Sequence, residues 1–214
     1  MMKIERFVFS PIEENTYLLI DDSGDCAIID CGCYNKSESK ELESFISERQ
    51  LKPVLLLNTH CHLDHIFGNR FILEKYGLRT LSHEMEEFNR KKAPEHALLF
   101  GLTMEDSPEP LRFIMDNETI EFGSVILKAL HVPGHTAGSL AFYCEKDEVV
   151  FTGDALFPGS IGRTDLPGGD YETLISSIKN RLFTLPEGTT VFAGHGGETT
   201  IGKEKMTNPW FNMT

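Results

Sequence analysis

Positive charge is scarce in this chain of 214 residues: 20 Lys and Arg stand against 33 Asp and Glu, a formal net charge of −13 at pH 7. No basic run appears either, which argues against a nucleic-acid substrate, because affinity for a phosphate backbone rests on clustered Lys and Arg. Long apolar runs are absent; none approaches the roughly 20 residues of a membrane-spanning helix, so no membrane partner is expected. The opening Met1-Met2-Lys3-Ile4-Glu5-Arg6-Phe7 carries charges where a signal peptide needs an unbroken apolar segment. Cysteines are few and odd in number, five in all, which reads as reduced thiols in a cytoplasmic protein rather than a disulfide frame. There is no short-period repeat or low-complexity segment, and the length fits one domain, 1–214, with a sizeable core.

What the chain does have is ligand chemistry at the ends of apolar runs. Thr59-His60-Cys61-His62-Leu63-Asp64-His65 follows directly on Val54-Leu55-Leu56-Leu57. In an extended segment side chains alternate, so His60 and His62 point one way and Cys61 the other. The chain then turns into a helix expected over Ile66 to Tyr76, with Asp64 as its N-cap, so that Asp64 and His65 face a second ion beside the first. Zinc and iron take imidazole and carboxylate ligands of this kind.

The same local grammar recurs three times. Val125 to Val132 ends in Pro133-Gly134-His135, Val149-Val150-Phe151-Thr152 in Gly153-Asp154, and Thr190-Val191-Phe192-Ala193 in Gly194-His195. Each is a strand of β-branched or aromatic residues, a glycine where the backbone turns, and a metal-ligand type. Loops beyond strand ends converge into sites in layered α/β folds. Five of the eight histidines occupy such positions; His83, His96 and His131 do not, and read as structural or solvated, with His131 pointing away from the site. Cys31-Gly32-Cys33 is C-x-C rather than C-x-x-C and reads as a turn beside the site. Elsewhere, a helix is expected from Ser37 to Arg49. Ser82 to Gly101 should be helical but broken at Ala93-Pro94. Asp170 should cap a helix through Leu182, and a short C-terminal helix and tail follow from about 199.

The HxHxDH of His60 to His65, followed in order by His135, Asp154 and His195, resembles the metallo-β-lactamase superfamily, and the likeness runs from Glu14-Asn15-Thr16-Tyr17-Leu18 to Gly194-His195. The resemblance implies an α/β (α+β) fold, a four-layer αββα sandwich of two mixed β-sheets with the metals at one edge. It also implies that His60, His62 and His135 hold one metal, that Asp64, His65 and His195 hold the other, and that Asp154 bridges them. Two divalent ions per chain follow, zinc first, with iron or a mixed zinc–iron pair as alternatives. Such a pair activates a water near neutral pH and polarises a carbonyl. Asp64, besides being a ligand, then orients the nucleophile and shuttles a proton as the catalytic residue.

The loop Phe157-Pro158-Gly159-Ser160-Ile161-Gly162-Arg163-Thr164-Asp165 resembles that of glyoxalase II (hydroxyacylglutathione hydrolase), where a cation contacts the glycine carboxylate of glutathione. Arg163 and Asp165 are therefore candidate substrate residues; alternatively, they pair with each other and pin the loop. Gly162-Arg163-Thr164-Asp165 also resembles the persulfide dioxygenases, which use one iron held by two histidines and an aspartate. There are departures from the longer glyoxalase II enzymes. The chain ends 19 residues after His195 (214 − 195), without their helical C-terminal domain, and Asp165 and Gly197 stand where tyrosines hold glutathione. The implied activity is hydrolysis of a small acyl thioester such as S-lactoylglutathione, whose thiolate, with a pKa near ~8.5, leaves readily. An iron-dependent persulfide dioxygenase, or a hydrolase of another small ester or lactone, is the alternative.

Overall fold

The computed structural model describes residues 2–212. The chain divides into two compact units, Met1–Phe113 with Glu121–Val125, and Ile114–Ile120 with Ile126–Thr214.

The first unit holds strands β1 (Lys3–Phe9), β2 (Glu14–Ile20) and β3 (Asp25–Ile29), helix α1 (Lys36–Glu48), strand β4 (Lys52–Leu57), helices α2 (Leu63–Ile66) and α3 (Asn69–Tyr76), strand β5 (Leu81–Ser82), helix α4 (Glu87–Leu99) and strand β6 (Arg112–Phe113). Its mixed sheet has the order β1-β2-β3-β4-β5-β6. The first pairs are antiparallel, and β3 to β6 run parallel. Every residue of β2 is buried, as expected of a strand covered on both faces. Asn35 caps α1 by accepting from the amides of Ser37 and Glu38, while Glu38 reaches back to the amide of Tyr34, a reciprocal arrangement that satisfies orphan donors. Leu42 and Ile46, one turn apart on α1, then pack into a core with Phe7, Leu18, Ile28 and Leu56.

Two expectations about this unit need correction. The motif helix starts earlier and is split: α2 begins at Leu63, so Asp64 lies in its first turn rather than at the N-cap, and Gly68 separates α2 from α3. A side chain at Gly68 would meet Cys31 Sγ at 2.4 Å, so the break follows close packing against the Cys31 turn. Nor does Pro94 break α4, which is continuous through it; the helix simply forgoes the bond that a residue-94 N–H would have given to the Arg90 carbonyl.

The second unit carries most of the second sheet, whose strands are β7 (Thr119–Phe122), β8 (Val125–His131), β9 (Leu140–Cys144), β10 (Val149–Gly153), β13 (Thr190–Ala193) and β14 (Glu198–Thr200), in the order β14-β13-β10-β9-β8-β7. Between β10 and β13 come the small hairpin β11 (Leu156–Phe157) and β12 (Ser160–Ile161), and helix α5 (Tyr171–Ser177), which continues as one wider turn to Leu182. Asp170 caps α5 as expected, accepting from the Thr173 amide at 2.7 Å. Helices α6 (Ile201–Thr207) and α7 (Pro209–Asn212) end the described chain. Leu130, Val150, Leu174, Ile178, Val191 and Ile201 form the core of this unit. Among the described residues no helix is long and apolar enough to cross a membrane.

Candidate metal centre

In the first unit β3 and β4 are parallel and in register at Ile29 and Leu57, so Asp30 and Asn58 leave the sheet side by side. Asp30 adopts φ 51°, a left-handed conformation uncommon outside glycine and typical of functional strain. Its buried carboxylate accepts from four donors: the Thr59 amide at 2.8 Å, Thr59 Oγ1 at 2.7 Å, Asn58 Nδ2 at 3.3 Å and His65 Nδ1 at 2.9 Å. His65 therefore carries its proton on Nδ1 and presents Nε2 as the ligand atom. Thr59 Oγ1 spends its own proton on Asp30, so it accepts from His60 Nδ1 at 3.1 Å, which leaves His60 Nε2 to bind as well. The ring centroids of His60 lie 4.8 Å from His62 and 4.1 Å from His65. His60 and His62 thus share one space, as alternation along the segment requires. Asp30 is close enough to His60 and His65 to be counted among possible ligands, but four donors already occupy its oxygens, and it acts by orienting imidazole.

The surrounding residues hold this segment in place. The Cys61 amide donates to Glu86 at 2.8 Å, and Cys61 itself packs with Leu63, Ile66 and Ala93, where burial pushes its thiol well above the ordinary range. Cys31 and Cys33 are buried too, and the Cys31 amide donates to the His65 carbonyl; this is a turn packed against the motif helix. Gly32 has no room for a Cβ, which would sit 2.0 Å from Glu14 Oε2 and 3.0 Å from the Asp64 carbonyl. Burial raises the Glu14 carboxyl well above the carboxylate range.

In the second unit β8 and β10 both run antiparallel to β9, and β13 is parallel to β10. The C-terminal ends of β8, β10 and β13 therefore lie at the same edge of the sheet, and from them project His135, Asp154 and His195. Gly134, at φ 127°, is needed where it stands, because a Cβ there would be 2.2 Å from the Leu174 amide nitrogen. Asp154 Oδ2 is 3.6 Å from His135 Nε2 and 3.7 Å from His195 Nε2. His135 Nδ1 donates to the Arg163 carbonyl at 2.8 Å, again leaving Nε2 to bind. The main chain crosses both candidate ligands at Gly162, whose Cβ would be 1.8 Å from the Asp154 carbonyl oxygen and 3.0 Å from His135 Nδ1.

The donor set fits a metal. Asp64 Oδ2 lies 3.8 Å from His65 Nε2, so three His–carboxylate separations fall at 3.6–3.8 Å. Such gaps are long for hydrogen bonds. They are near the ~3.4 Å that separates two ligands each ~2.1 Å from a tetrahedral ion. Two other histidines behave otherwise: His83 caps a short 3₁₀ turn by accepting from the Met85 amide, and His131 Nε2 bonds the Ala137 carbonyl. Arg163 and Asp165 form an exposed bidentate pair at 2.7 and 2.8 Å, so the guanidinium holds the Asp165 carboxyl down at about 2. Reasoning from sequence missed Asp30 and Gly162. Both had a visible signal: an acid ending the strand before the motif, and a glycine inside the candidate loop.

Comparison with known proteins gives the family. Residues 11–195 match the model of the metallo-beta-lactamase superfamily. Hydroxyacylglutathione hydrolase GloC of Haemophilus influenzae is 41% identical over 213 residues, covering 99% of each chain. Among solved structures, the BLEG-1 B3 metallo-beta-lactamase superposes with a TM-score of 0.91 at 32% identity, covering 99% of this chain and 100% of the other. TTHA1623, solved in a di-iron-bound form, gives 0.87 at 36% identity, covering 96% and 99%. A family match over most of the chain, a full-length relative and whole-chain structural likeness lead to one conclusion: this chain belongs to the metallo-β-lactamase superfamily and has its fold.

Proposed function

We propose that the chain is a binuclear metal-dependent hydrolase of small acyl thioesters, S-lactoylglutathione-like in chemistry. The observation that carries the metal centre is the repeated 3.6–3.8 Å spacing of imidazole and carboxylate donors, with the other ring nitrogen already hydrogen-bonded in His65 and His135. The full-length likeness to GloC supports the thioester class. In this reading His60, His62 and His135 would hold one ion and Asp64, His65 and His195 the other, with Asp154 as a ligand shared by the two. Held by these residues, divalent ions (zinc first) would supply Lewis acidity and a water acidic enough to ionise near neutral pH.

The chain's own residues do the rest. Asp30 and the Arg163 carbonyl fix which imidazole nitrogen faces the ions. Asp64, mostly buried, orients the attacking water and takes up its proton at Oδ. The thiolate product needs no strong general acid, since its pKa is near ~8.5. Arg163 spends Nε and Nη2 on Asp165 and keeps Nη1 for a substrate carboxylate, with Asp165 aiming it.

The test is metal quantification on protein purified without chelators, paired with thioester hydrolysis and with oxygen uptake on glutathione persulfide. About two metals per chain with hydrolysis supports the reading. A single iron with oxygen uptake would sink it in favour of a persulfide dioxygenase. In the same assay Arg163→Ala should raise KM at least about tenfold with little change in kcat, the mark of uniform binding; an unchanged KM removes the carboxylate role.

A further inference from the structure

The hairpin β11–β12 leads directly into Gly162 and Arg163, the residues that press on Asp154 and His135, and its Phe157 ring lies 6.2 Å from that of His195. The hairpin is short, with only two residues per strand, and a pair of that length is not stable alone. Something else must hold it. A carboxylate on α6 does so: Glu204 is fully buried, and its Oε2 accepts the Gly159 amide at 2.9 Å, at the turn of the hairpin. The same oxygen accepts Asn208 Nδ2 at 2.9 Å, and Asn208 Nδ2 also donates to the Ser160 carbonyl at 3.0 Å. Oε1 takes the Thr199 hydroxyl at 2.5 Å, from the strand that follows His195. One buried side chain thus ties the C-terminal helix, the strand after one ligand and the hairpin beside all three ligands of this unit.

We infer that Glu204 is a positioning residue for this ligand set. It acts through the hairpin on the backbone that orients His135 and packs on Asp154, and touches neither substrate nor metal. The inference deepens the reading of the site as a metal centre and rests on it. Three donors converge on Glu204, of which only the Thr199 hydroxyl can turn round to accept. A glutamine can therefore replace the carboxylate with its amide toward Thr199, whereas an alanine leaves buried donors unpaired.

The experiment compares Glu204→Ala, Glu204→Gln, Asn208→Ala and a core-weakened control, Phe142→Leu, with the parent. Zinc affinity is measured by competition with a chromophoric chelator. Amide exchange of peptides spanning 156–163 is measured on metal-free protein, with 149–153 as reference. Glu204→Ala and Asn208→Ala should weaken zinc binding about tenfold and speed exchange across the hairpin at least about tenfold, leaving 149–153 slow. Glu204→Gln should stay within about twofold of the parent. If Phe142→Leu at an equal loss of Tm weakens zinc binding as much, or hairpin exchange is unmoved by Glu204→Ala, the positioning role is overturned. A parent that binds neither zinc nor iron would overturn the metal-centre reading, and the positioning of His135 toward an ion with it.

Discussion

The two units present the same donor types by opposite means. In the first, His65 and His60 are aimed by side chains: a buried, strained Asp30 collects four donors, holding His65 directly and His60 through Thr59. In the second, His135 is aimed by a main-chain carbonyl, and the chain reaches it only because residue 162 has no side chain. Comparable donor separations, 3.8 Å in one unit and 3.6 to 3.7 Å in the other, can thus be set by charge or by backbone path. The first device should be sensitive to chemistry at constant shape, the second to shape at constant chemistry.

The sharpest way to break this contrast is Gly162→Ala. The new methyl would overlap the Asp154 carbonyl oxygen, 1.8 Å away, and backbone at that point has no rotamer by which to yield. A ligand displaced by ~1 Å costs about 100-fold in rate, so kcat/KM should fall at least that far while the fold survives a strain of roughly 1–3 kcal/mol. Thioester turnover and Tm on the same preparation check both; near-normal turnover would mean the loop is free to move and does not aim His135.

Asp30→Asn comes next. The substitution keeps size, and asparagine accepts the left-handed φ as readily as aspartate, so backbone strain is unchanged. What changes is that every partner of Asp30 is a donor, and an amide must point N–H groups at one pair of them. Loss of such a partner to a ligand histidine typically weakens metal affinity 10- to 100-fold. Chelator competition should find a drop in that range, with far less effect on Tm than on affinity. Equal affinity would show that His65 needs no carboxylate to hold its tautomer.

The same contrast explains what could be read from sequence. Strand, glycine, ligand is a local pattern with local causes, so the positions of His135, Asp154 and His195 after their strands were legible, as was the cap at Asp170. The split between α2 and α3 was not, because Gly68 breaks the helix for a reason that lies 37 residues upstream, in the Sγ of Cys31 (68 − 31). Asp30 stands among many acids in the sequence; only the parallel pairing of β3 with β4 puts it beside Thr59. Arg163 was read both as a substrate cation and as the partner of Asp165, and the bidentate pair it makes is compatible with either.

The smallest effect expected concerns the clamp at the start of α4, again a side-chain device of the first unit. Hydrogen bonds from Arg90 hold the Glu87 carboxyl down at about 2, and Arg90 in turn donates to the Ser107 carbonyl. A carboxyl depressed on folding contributes stability above its unfolded value, 4.5 here, and loses it as pH falls toward 2. Glu87 is partly exposed, so solvent screening limits the contribution to about 1 kcal/mol. Glu87→Gln should therefore lower the urea midpoint at pH 7, and the gap from the parent should close as pH is taken from 4.5 toward 2. Gly162→Ala, whose defect is steric, should keep the same gap throughout that range. If the Glu87 gap is also independent of pH, Glu87 contributes by packing and the contrast between charge and backbone path does not extend to α4.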